Sequence, residues 1–266
     1  MLDRSERIAD LLAGLLTVLV LLVLYAPVFI SAIFSLIEVK DGRILWETFS
    51  FRNYFTMWSN PSVIDALTNT AIVAAAAVAV ASLLAVLLAL YAEWPGALFR
   101  RGLELAIYLP FLLPPIVTGL SLLVASAQLG ISRGLGTVVI GHTVFVLAVA
   151  YRLVLTRLQS MPKTLVEASY DLGASKLQTF RYITLPYLSS AIVTGAVLAL
   201  TLSFDETLIS VFLAGDRMTL PLRLWAMMRV GFTPEINALV TLVLLVSLIL
   251  AALVASRLKI GSSNPE

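Results

Sequence analysis

The chain has 266 residues, of which 60% are hydrophobic and 13% charged, and its mean hydropathy is +0.98. A soluble domain carries roughly 25% charged and 45–50% apolar residues, so this composition excludes both a water-soluble globule and a disordered chain. The absence of cysteine removes a disulfide scaffold and a thiol nucleophile. The net charge of +2 comes from basic residues between apolar runs, a membrane-topology signal rather than a nucleic-acid footprint.

The apolar runs predict an all-α membrane protein of six transmembrane helices. The first, residues 11–37, carries no charge and exceeds the ~20 residues that span a hydrocarbon core. A cleaved signal peptide has an apolar region of only about 7–15 residues. The second, 63–92, opens with Asp65 and Asn69 and is rich in alanine over 71–81, which permits close helix contact. The third, 103–127, contains Pro110, Pro114 and Pro115. Each removes a backbone donor and crowds the preceding turn, so a kink or break is expected. The fourth, 137–151, is short and carries His142; the fifth, 187–214, is interrupted by Asp205 and Glu206; the sixth is 236–256.

Six crossings put both termini on one side, and Lys/Arg placement selects the side. With the termini inside, the inner set is Arg4, Arg7, Arg100, Arg101, Arg152, Arg157, Lys163, Lys176, Arg181, Arg257 and Lys259. The outer set is Lys40, Arg43, Arg52, Arg133, Arg217, Arg223 and Arg229. Eleven against seven favours cytoplasmic termini. The longest inner loop, 157–186, is also the richest in charge, which marks it for a cytoplasmic partner.

No G-x-x-x-x-G-K-[ST], H-E-x-x-H or G-x-S-x-G motif occurs, so the chain has no phosphate loop for ATP and no visible active site. It is read as a non-enzyme without a metal site. His142 is its single histidine. A proton relay is one use of an intramembrane imidazole; a hydrogen bond between packed helices is the commoner one and the reading adopted here.

Within 163–172, Leu165, Ala168 and Leu172 recur at spacings of three and four, giving one apolar face on a polar segment. Gly173 ends this helix, because glycine tolerates left-handed geometry. A second amphipathic stretch, with Leu177, Phe180, Tyr182 and Ile183, then leads to Pro186. The expected product is a short, exposed helix-turn-helix. Its sequence, Glu167-Ala168-Ser169, three residues, Gly173, nine residues, Ile183-x-Leu185-Pro186, resembles the EAA loop of ABC importer permeases. The one departure is Ser169 for the second alanine.

The resemblance implies that this loop is the coupling helix that docks on an ATP-binding subunit, through Glu167, Ala168, Ser169, Asp171, Leu172 and Gly173. The alternative is an amphipathic helix that anchors the loop on lipid. Asn69-Thr70, Leu109-Pro110 to Gly119, and Ser203-Phe204-Asp205-Glu206 to Leu220-Pro221 also look like the type I permease module, over about 67–255. The segment 199–239, including 212–215 and 233–238, is similar to polyamine (spermidine/putrescine) permeases of the PotC and PotI kind.

Asp205 and Glu206 are the informative intramembrane charges, since an acid at a helix centre costs about 2.5–3.5 kcal/mol and usually faces a cavity or partner. Asp205 lies eighteen residues after Tyr187, about 27 Å along a helix, toward the outer face. Two readings stand: one of the acids lines a path for a cationic solute, or it caps a helix, pairs with an arginine such as Arg217, or sits in the interface. Neighbouring helical positions point about 100° apart, so both cannot face one pore squarely. Tyr108, Phe111, Phe204 and Trp225 are candidate aromatic faces for a cation, against belt or packing roles.

The expected division is 1–62 (N-terminal end, first helix, outer loop), 63–256 (permease core) and 257–266 (cytoplasmic tail). The resemblance implies a permease subunit in a bacterial inner membrane that binds no cofactor itself. ATP and Mg would be held by a dimer of partner ATPase subunits. A second homologous permease, forming a heterodimer, and a periplasmic or extracellular solute-binding protein complete the expected assembly. The same kind of permease for another solute is the alternative. An ion-gradient-driven transporter ranks below it, because paired broken helices in inverted repeats are expected there and only one proline-broken segment is visible.

Overall fold

In lipid, backbone groups find no water and must be satisfied within the segment, so long apolar runs become long helices. The computed structural model describes residues 4–40, 43–230 and 234–262. Contacts group the chain into two units, one of Met1–Pro61 with Ala226–Val246 and one of Ser62–Trp225 with Ser247–Glu266.

The first unit begins with α1 (Arg4–Ser35), which starts seven residues before the expected run. It stops at a feature the all-helical reading did not contain, an antiparallel hairpin of β1 (Ile37–Lys40) and β2 (Arg43–Phe49). Ile37, Val39, Ile44, Trp46 and Thr48 are β-branched or aromatic and suit a pleated surface. The short α2 (Arg52–Trp58) follows. Its buried Asn53 donates to the carbonyls of Ser35 (2.9 Å) and Ile37 (3.3 Å), tying α2 to the point where helix gives way to strand.

The second unit is built on α3 (Pro61–Glu93). Ala74, Ala77, Ala81, Ala85, Ala89 and Ala92 are buried at spacings of three and four, a stripe of small residues that lets neighbours approach. α4 (Arg100–Leu112) and α5 (Pro115–Gln128) meet at 112°. Pro114 has no N–H, so the Pro110 carbonyl loses its i+4 donor. The Thr118 hydroxyl supplies the replacement at 3.1 Å.

α6 (Leu135–Gln159) is longer at both ends than the expected 137–151. After α7 (Lys163–Asp171), α8 (Lys176–Thr179), a π-helical turn (Phe180–Thr184) and α9 (Leu185–Asp205) run on as one 30-residue span. The fifth helix therefore starts before Tyr187 and ends at Asp205 instead of reaching residue 214. Pro186 falls inside it, and the i−5 bond from Leu185 N–H to the Phe180 carbonyl belongs to the π-turn that precedes the proline. α10 (Leu208–Leu213), α11 (Leu220–Val230) and α12 (Pro234–Ser262) complete the chain.

Among the described residues, four helices are long and apolar enough to cross a membrane, or five if the bent α4–α5 pair is one span; Glu235–Ile249 is a shorter apolar helix. The expected six crossings are thus matched in part, by four or five full-length spans and this shorter helix. Thr233 and residues 263–266 of the expected tail lie outside the described residues.

Candidate functional site

Two regions of the second unit carry the expected functional residues. In the loop between α6 and α9, α7 ends as the glycine rule requires. Gly173 has φ +81°, its N–H bonds to the Tyr170 carbonyl (2.9 Å), and Ala174 N–H bonds to the Ser169 carbonyl (3.0 Å). This pair of bonds is a Schellman closure. Ser175 then caps α8 in a reciprocal box with Gln178. The buried Ser169 hydroxyl donates to the Val166 carbonyl and lies 2.8 Å from the Thr179 hydroxyl, linking the two short helices.

The predicted apolar face is left uncovered. Leu165 and Ala168 are exposed, and Leu172 is 88% exposed. Glu167, Asp171 and Gly173 are exposed on the same short element, while Ser169 is turned inward. The second stretch splits: Phe180 packs toward the core, whereas Leu177 and Tyr182 are exposed. Sequence reasoning missed the clamp at the loop's base. Arg157 lies over the Tyr187 ring at 4.1 Å and donates to the Tyr187 carbonyl at 3.2 Å, and the Tyr187 hydroxyl donates to the Ser160 carbonyl. A basic and an aromatic residue flanking one charged loop was the available signal.

The second region is the break between α9 and α10. Asp205 is exposed, and among the described residues its carboxylate has neither hydrogen bond nor ion pair. The Glu206 carboxylate accepts from the Ile209 N–H at 3.0 Å, so it caps α10. Glu206 thus takes the capping role, and among the described residues Arg217 forms an ion pair with neither acid. α10 is seated closely: a Cβ on Gly141 would lie 2.6 Å from Ile209 and Leu213 side-chain atoms, and one on Gly119 would lie 2.9 Å from the Phe212 ring. Its last carbonyl, that of Leu213, accepts from Gly134 N–H and the Thr137 hydroxyl, both at 2.9 Å. His142 is buried between Ser203 and Ser210, the helix-packing role expected of it.

Of the expected aromatics, Tyr108 and Phe111 share one apolar cleft of about 390 Å³ with Val149, Leu153 and Leu198, and its one charged lining residue is Arg152. Tyr108 packs edge-on to Tyr151 (5.9 Å) and Phe111 against Phe145 (5.5 Å). Phe204, Asp205, Glu206 and Trp225 are not part of that lining. Leu198 precedes Asp205 by seven residues, about 10 Å along α9.

Residues 81–259, which contain both regions, match the family described as binding-protein-dependent transport system inner membrane component. The chain belongs to that family. The permease is 34% identical over 232 residues to the putrescine transport system permease protein PotI of Escherichia coli K12, covering 83% of this chain and 81% of the relative. It is 35% identical over 240 residues to the spermidine/putrescine transport system permease protein PotC of the same organism, covering 88% of each. A crystal structure of a bacterial ABC transporter involved in the import of the acidic polysaccharide alginate contains a chain with the same fold, at TM-score 0.73, 19% identity and coverage of 96% and 98%. The permease is thus an inner-membrane transport component with the type I importer fold.

Proposed function

We propose that this permease forms half of the translocation pathway of an ATP-driven importer for a polyamine of the spermidine/putrescine kind. The observation that carries the reading is the 34–35% identity to the PotI and PotC permeases along more than four-fifths of both chains. Six crossings with cytoplasmic termini, supported by the eleven-to-seven basic asymmetry, put the 157–186 loop on the ATPase side. There the uncovered face of α7, with Glu167, Ala168, Asp171, Leu172 and Gly173, meets one subunit of an ATPase dimer that holds ATP and Mg. Ser169 contributes from inside the loop. Closure of that dimer draws the coupling helices of this permease and a homologous partner together and turns the cavity from inward to outward access. An external solute-binding protein then delivers its cargo. Asp205 faces the cation in transit, and Glu206 holds the break that presents it.

The test of the solute class is a titration of the purified binding protein from the same transport system. Micromolar or tighter affinity for spermidine or putrescine supports the reading, whereas affinity confined to neutral or anionic solutes removes it and leaves a permease for another solute. The Tyr108–Phe111 cleft, with Arg152 at its edge, repels rather than recruits a polycation, so those two rings serve packing in this account.

A further inference from the structure

The α9–α10 break is held across its gap by a hydrogen-bond chain. The Ser210 hydroxyl lies 3.2 Å from the Glu206 carbonyl oxygen. The Ser210 hydroxyl oxygen also lies 3.0 Å from His142 Nε2, and His142 Nδ1 lies 2.8 Å from the Ser203 hydroxyl oxygen, so the ring donates through one nitrogen and accepts through the other when neutral. His142, Ser203 and Ser210 are all buried to within 1% of full, so no water competes for these bonds and a lost partner is costly. The chain leaves α6, grips the last turn of α9 two residues before Asp205, and grips α10 four residues after Glu206.

We propose that His142 is a positioning residue for Asp205: by bridging Ser203 and Ser210 it fixes the separation and rotation of the two helix ends, and hence the direction of the carboxylate between them. The consequence for transport rests on the reading that Asp205 lies on the solute path. The glycine seats at 119 and 141 and the capped Leu213 carbonyl hold the body of α10, while among the described residues the segment from Asp205 to Thr207 is held by the Glu206 cap, the Thr207 hydroxyl bond to the Asp205 carbonyl, the Val211 N–H bond to the Thr207 carbonyl and this bridge.

The chain has no cysteine, so Asp205→Cys introduces the one thiol of this chain, and labelling of the permease band alone reports the break. Its reaction rate with a charged methanethiosulfonate is measured in the assembled complex in nanodiscs, with Leu177→Cys as the control thiol on the distant loop. In the His142→Leu background the rate at position 205 changes at least fivefold while the rate at 177 stays within twofold. His142→Gln, whose amide offers one acceptor and one donor, restores it. If His142→Leu does not assemble, the Ser203→Ala/Ser210→Ala double variant makes the same comparison and shows the same change. Rates at 205 within twofold in every assembled background overturn the proposal. Uptake by Asp205→Asn is measured separately: unchanged uptake there removes the solute-path reading and leaves the thiol result standing.

Discussion

The hydroxyls of Ser169 and Thr179 lie 2.8 Å apart and buried, on two short helices joined by the left-handed Gly173. The contact is a hydrogen bond that holds α7 against α8. Ser169→Ala deletes that bond and leaves Thr179 its weaker 3.2 Å contact to the Ser175 carbonyl. A net loss of about 1 kcal/mol follows, read as roughly fivefold faster hydrogen exchange of amides 174–180. Uptake changes by less than about threefold, because Ser169 is buried and the exposed face of α7 is untouched.

Gly173→Val acts differently. A β-branched residue at φ +81° costs about 1–2 kcal/mol, and the turn that closes α7 has to rearrange. Membrane insertion survives, uptake falls, and ATP hydrolysis no longer responds to loaded binding protein. Wild-type uptake by this variant at normal abundance counts against the coupling role of the loop.

The neighbouring acids separate cleanly. Asp205→Asn removes a carboxylate that has no partner among the described residues, so assembly and basal ATPase hold while polyamine uptake drops about tenfold, on the 1–3 kcal/mol scale of a charge-assisted contact. Glu206→Gln keeps an oxygen for the Ile209 N–H and has a weaker effect. Glu206→Ala loses the cap and destabilises the complex by about 1 kcal/mol. Thermal stability and uptake measured on all three variants tell a transit charge from a structural one; equal stability loss in Asp205→Asn and Glu206→Ala contradicts this division.

At the α4–α5 corner, Thr118→Val keeps the shape but strands the Pro110 carbonyl. The expected cost is about 1 kcal/mol for a half-buried acceptor that loses its donor, seen as a lower unfolding temperature of the detergent-solubilised complex. No loss of stability means that another donor reaches that carbonyl.

The long helices were legible because twenty-residue apolar runs have few alternatives in a bilayer. The break after Leu112 was legible because three prolines in six positions cannot continue one helix. Gly173 announced its own turn. Other features were hidden for physical reasons. The hairpin at 37–49 is too short for its alternation to stand out beside the apolar run that precedes it. The π-turn before Pro186 shifts the helix phase without changing composition. Which of Asp205 and Glu206 caps α10 depends on where that helix begins, and adjacent carboxylates look alike until one of them meets an N–H. His142 showed only that a partner was needed; Ser203 and Ser210 lie 61 and 68 residues away.

Orientation is tested by reporter fusions. Fusions after Lys163 and at the C-terminus give a cytoplasmic signal, and one near Arg43 gives an external signal. An external signal from the Lys163 fusion reverses the topology and separates the 157–186 loop from any intracellular ATPase.

The most direct measurement is uptake of labelled spermidine and putrescine into vesicles reconstituted with this permease, its partner permease, the ATPase subunits and loaded binding protein. The expected accumulation requires ATP and binding protein together, is abolished by competing unlabelled polyamine, and is left unchanged by an equal excess of a neutral sugar. ATP-independent accumulation driven by an ion gradient, or ATP-driven uptake that ignores polyamines, contradicts the polyamine-importer reading.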